Sequence, residues 1–186
     1  GGSNGSLGDI YLNYDPTTGA AAGGGDIVLD GGSSVQGAYA QVGHGGRNRG
    51  GDKSGDIVIG SADLVSVTSR NVYGYAMIGH GGDSNAVAAN WGNADGSIRL
   101  LDIGDLVLQV GSGNAHAMIG HGGHQNGGAL RGAAGDEIEI VASGDVTLSG
   151  GGSNNIVKIG HGGTSVGDSI YETDISLQVG GDLSLT

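Results

Sequence analysis

The sequence predicts an all-β protein, a right-handed parallel β-helix (β-solenoid) with about one three-strand coil per repeat of about 40 residues. Three observations predict it. A five-residue motif recurs at long, nearly fixed intervals. Apolar residues fall in short runs two positions apart. Glycine followed by aspartate opens one such run after another, as a repeated corner requires.

The motif is Ile78-Gly79-His80-Gly81-Gly82, repeated at Ile119–Gly123 and Ile159–Gly163, with Val42-Gly43-His44-Gly45-Gly46 as a variant. Its histidines, His44, His80, His121 and His161, are 36, 41 and 40 residues apart, and Ala40, Ala76, Ala117 or Val157 stands four places before each. A fixed element returning at this interval marks a repeat architecture, in which each unit buries its apolar face only against its neighbours.

Each repeat carries three strand-like segments. The first is Ile10-Tyr11-Leu12, Ile57-Val58-Ile59, Ile98-Arg99-Leu100, Ile138-Glu139-Ile140 or Ile175-Ser176-Leu177. Apolar residues two apart describe a strand with one buried face. The second segment opens on Asp26, Asp63, Asp105, Asp145 or Asp182. The first apolar residue precedes this aspartate by seven positions in the last three repeats but by six in the second (Ile57 to Asp63), which predicts a tighter corner there. In the first repeat an insertion, Asp15 to Ala22, lengthens the same interval to sixteen. The third segment leads into the motif, and alternation puts Ala76, Ile78 and His80 on one face with Met77 and Gly79 on the other. A polar loop of about a dozen residues follows each Gly-Gly, longer than most connections.

One coil with a loop accounts for these segments better than two small coils per repeat, which would leave the loops without a strand pattern. The repeats run approximately over 8–54, 55–95, 96–134, 135–172 and, in part, 173–186, after a glycine-serine leader or linker at 1–7. These make about four and a half coils, roughly 20 Å tall at the usual strand spacing. The last repeat stops after its second segment, which reads as a fragment of a longer repeat protein with an uncapped final layer.

Composition narrows the function. The chain of 186 residues has 44 glycines, one proline and no cysteine, so disulfides, thiolate catalysis and cysteine zinc sites are excluded. Its net charge of −12 repels phosphate backbones and argues against nucleic acid as a partner. No apolar run approaches the roughly 18 to 20 residues of a membrane span, so no membrane insertion is expected.

Repeated Gly-Asp-Ile-x-Leu strands followed by Ala-x-Ile-Gly-His-Gly-Gly resemble the β-helix shaft repeats of filamentous-haemagglutinin-like bacterial exoproteins of the two-partner-secretion type. The resemblance covers nearly the whole chain from Gly8 onward. It implies a right-handed β-helix, a place at the bacterial cell surface or outside the cell, and a role in adhesion or display. The Asn-Pro-Asn-Gly signature of that family's secretion domain does not occur here.

Two residue series invite a chemical reading. The histidines could form a metal ladder, since imidazole is a common ligand, but a zinc site needs three or four convergent ligands and a straight column offers two neighbours. A stack of neutral imidazoles, each bonded to backbone at a corner, is the preferred reading. The series Asp26, Asp63, Asp105, Asp145 and Asp182 could be a calcium ladder, yet one carboxylate per forty residues falls short of calcium's six to eight oxygens. Both series are therefore assigned to structure, with no metal, cofactor or catalytic residue. The irregular acids Asp95, Asp102, Glu137, Glu139 and Glu172 single out no catalytic pair.

The expected function is a non-enzymatic shaft or adhesin segment of a surface-displayed or secreted bacterial protein. The competing reading is a polysaccharide-processing β-helix enzyme, a hydrolase or lyase. Partners, if engaged, would be a surface glycan or protein of a host or neighbouring cell, met on the loops that carry Trp91, Arg47, Arg49, His124 and Arg131. End-to-end self-association through uncapped coils is a further expectation.

Overall fold

The computed structural model describes residues 5–33, 37–46, 50–70, 72–82, 92–111, 113–123, 136–152, 154–162 and 173–186. Trp91, Arg47, Arg49, His124, Arg131 and Glu172 lie outside this set, and so do the expectations placed on them. The described residues form strands, turns and irregular connections, with no helix among them.

The first segments are β2 (Ile10–Leu12), β8 (Ile57–Ile59), the start of β12 (Ile98–Val110), β14 (Glu137–Ala142) and β17 (Asp174–Val179). The second segments are β5 (Ile27–Asp30), β9 (Ala62–Ser69), the end of β12, β15 (Val146–Ser149) and β18 (Leu183–Leu185). In the third repeat the chain passes the corner without a break, so β12 joins both columns into one nine-stranded sheet curled like a half barrel. The third segments, β6 (Tyr39–Val42), β10 (Tyr75–Ile78), β13 (His116–Ile119) and β16 (Ile156–Ile159), make a four-stranded sheet.

All the pairings between successive repeats are parallel and set core residue on core residue. Ile98 faces Ile57 and Ile138, Leu106 faces Val65 and Val146, and Ala117 faces Ala76 and Val157. Alternation decides this register, because a one-residue slip would turn every buried side chain outward. Ile57, Ile59, Ile98, Leu100, Leu106, Leu108, Ile119 and Ile138 are wholly buried in one continuous core. Ala76, Ile78, Ala117 and Ile119 carry the third sheet's share of that core, small residues alternating with large ones.

Three features depart from or add to the sequence reading. The corner of the second repeat is no tighter than the next: Asp105 pairs with Leu64, not Asp63, and Leu106 with Val65. Val65 and Val67 are fully buried while Leu64 is only partly so, and burying the two valines fixes the register and leaves Asp63 one place early. A fourth set of strands, β1 (Ser6–Leu7), β7 (Lys53–Ser54) and β11 (Ala94–Asp95), pairs in parallel just before the corners Gly8-Asp9, Gly55-Asp56 and Gly96-Ser97, β7 and β11 at the ends of the return loops and β1 in the stretch ahead of the first repeat. The insertion folds as an antiparallel hairpin of β3 (Tyr14–Asp15) and β4 (Ala20–Ala21), its turn closed by Asp15 accepting from the Thr17 N–H and the Thr18 hydroxyl.

Candidate functional site

The motif sits where the third sheet ends and the chain turns toward the level at which its own repeat began. Residues of a parallel strand send their N–H groups alternately to the neighbours on either side. Gly79 N–H donates back to Val42 O (2.8 Å) and Gly81 N–H back to His44 O (2.9 Å). The histidine between them must donate forward, and it donates to an imidazole. His44 N–H bonds His80 Nδ1, His80 N–H bonds His121 Nδ1, and His121 N–H bonds His161 Nδ1, each at 2.9 Å.

The other ring nitrogen reaches across the layer. His44 Nε2 lies 2.6 Å from Gly8 O, His80 Nε2 lies 2.8 Å from Gly55 O, and His121 Nε2 lies 2.8 Å from Gly96 O. A carbonyl can only accept, so Nε2 carries the hydrogen and Nδ1 the lone pair: the neutral Nε2–H tautomer. Each of these imidazoles thus closes its own layer onto that layer's first strand, and His80 and His121 also join consecutive layers. The four rings stack with centroids 4.9 Å apart, and the two at the centre are parallel.

Burial disfavours the charged form at His80, His121 and His161. His80 and His121 are fully buried and His161 nearly so. Burial lowers the pKa of His80; burial together with the neighbouring His161 and His80 holds His121 well below the ordinary imidazole value. His161 is lowered to about 4 by burial and then by the Lys158 ammonium. His80 and His121 have no lone pair left for a cation, because one nitrogen bears a proton and the other accepts an N–H. Among the described residues, no group of three histidines or acids is placed to hold a metal.

The aspartates also bond between layers. Asp105 Oδ1 accepts Asp145 N–H and Asp145 Oδ1 accepts Asp182 N–H, both at 2.8 Å. Asp63 stands outside that register and Asp26 lies exposed ahead of β5. A second carboxylate column, not singled out from the sequence, flanks the other end of the first strand. There Asp9 accepts Asp56 N–H and Asp56 accepts Ser97 N–H, at 2.9 Å each. The recurring Gly-Asp pairs were its signal, since they mark both ends of that strand.

The irregular acids are dispersed. Asp95 is in β11, Asp102 lies at the corner within β12, and Glu137 and Glu139 are on β14, where Glu137 accepts from Arg99 Nε at 2.9 Å. A small apolar cavity on the outer face of the third sheet is lined by Tyr73, Tyr75, Met77, Asn114, His116 and Met118. No family model matches this chain, and neither a curated protein nor a solved structure matches it.

Proposed function

We propose that this chain is a length of right-handed parallel β-helix, a β-solenoid, that serves as a non-enzymatic shaft of a bacterial surface-displayed or secreted protein of the filamentous-haemagglutinin-like kind. The observation that carries the reading is that the motif histidines and the aspartates from Asp105 onward are committed to stacking. The imidazoles bond the backbone of their own layer and the preceding one, and Asp105 and Asp145 bond that of the next. A module of like layers spaces, displays and resists unfolding; its length is set by the number of layers. Surface glycans or proteins of another cell are the partners this role entails, met on the polar segments that follow each Gly-Gly in the sequence.

Duplicating residues 55–95 in place tests it. A shaft takes the added repeat, stays folded, and grows by one strand spacing, about 4.8 Å, in its longest dimension by small-angle scattering. The same preparation releases no new reducing ends from acidic or neutral polysaccharides. Collapse of the duplicated chain would contradict the shaft reading, and polysaccharide cleavage abolished by a single acid substitution would establish the enzyme instead.

A further inference from the structure

We propose that the imidazole column is an acid-release device: on acidification it changes, in one cooperative step, from the seam that closes the layers into a row of like charges that opens them.

The geometry leaves a proton only one place to go. Nδ1 is the basic atom of each ring, and in His80, His121 and His161 it accepts a backbone N–H at 2.9 Å. Protonating Nδ1 sets two donors head to head and removes the bond to the preceding layer. It also puts a charge in a buried column whose next ring is 4.9 Å away.

The surrounding groups do not relieve that charge. Lys53, from β7, and Lys158, from β16, disfavour it at His80 and His161; Asp56 and Asp136 favour it at the same two rings, but burial outweighs them. Asp9 follows the Gly8 carbonyl that His44 holds, and its carboxylate is already engaged by Asp56 N–H and the Tyr11 hydroxyl. Among the described residues, His121, in the middle, meets the His80 and His161 imidazoles, the His80 N–H and the Gly96 carbonyl, and no carboxylate acts on it. Once one layer opens, its neighbours lose their burial and their N–H donor and regain ordinary imidazole basicity, so the protons enter together.

The sign follows. In the folded chain His161 stays neutral down to about pH 4 and burial holds His80 and His121 below their ordinary value, whereas an unfolded imidazole takes its proton near pH 6.5. Stability is therefore complete above about pH 6.5 and is lost as the pH falls through that window, where the unfolded chain binds more protons. The carboxylates protonate mainly below it.

Urea unfolding of the intact chain from pH 7.5 to 4.5 tests the device. The midpoint should hold steady at the alkaline end and then fall, with a linkage slope of about two to three protons per molecule. His80→Gln/His121→Gln keeps an amide donor and a carbonyl acceptor at both positions and should lose about two of those protons. His161→Gln alone should lose about one proton, and this arm stands even if the double variant fails to fold. A midpoint constant from pH 7.5 to 4.5 would overturn the proposal. So would uptake left unchanged by His161→Gln, or ring-nitrogen NMR in which His80 and His121 titrate near pH 6.5 in the folded chain.

Discussion

Gly79 sets how closely two layers can stand. It turns with φ 149°, and a Cβ built there would lie 1.9 Å from the carbonyl oxygen of Gly120 in the next layer. Gly120 stands in the same relation to Gly160, at 2.1 Å. The close approach brings each imidazole within reach of the preceding layer's backbone, so the glycines and histidines of the motif work as a unit. Gly79→Ala should lower the unfolding free energy by about 3 to 5 kcal/mol, read by chemical denaturation. Gly151→Ala, whose added methyl would meet nothing within 4 Å, should change it by no more than about 0.5 kcal/mol. Equal effects of the two would mean that the close approach does not govern stability.

At the scale of the strand and its corners, backbone pairing lapses where the chain turns and side chains take over. Asp105 and Asp145 supply the acceptors there. Asp105→Ala should cost about 1 kcal/mol, and Asp105→Asn, which retains an acceptor oxygen, much less. If the two variants lose stability equally in thermal melts, the carboxyl column is not holding the corner. The strands were legible in the sequence because Ile-x-Ile and Leu-x-Leu spacing is what one buried face demands. Asp63 was misplaced because it was aligned by its own type, whereas Val65 and Val67 set the register. The fourth strand column was illegible for a plain reason. Ser6-Leu7, Lys53-Ser54 and Ala94-Asp95 share no side-chain pattern and are joined through the main chain. The imidazole spacing was readable, but the reach of Nε2 back over 25 residues to Gly55 or Gly96 depends on how the layer closes, which no local pattern encodes.

For the whole molecule, stability comes from layers that each bury the next. Core residues of the third layer, Ile98, Leu100, Leu106 and Leu108, are fully buried between neighbours, while Ile175, Leu183 and Leu185 in the fifth are about half exposed or more. Such an array gains stability nearly additively with each interface. The claim beneath all of this is that equivalent residues of successive repeats stand directly over one another. The chain has no cysteine, so spin labels can be placed uniquely at Ser66→Cys and Thr147→Cys. Both positions are half-buried and both pair with Val107, from opposite sides. Two strand spacings, about 10 Å, should separate the labelled sites, and the spectrum of the doubly labelled chain should show strong dipolar broadening. A spectrum equal to the sum of the two singly labelled chains would contradict the stacked register.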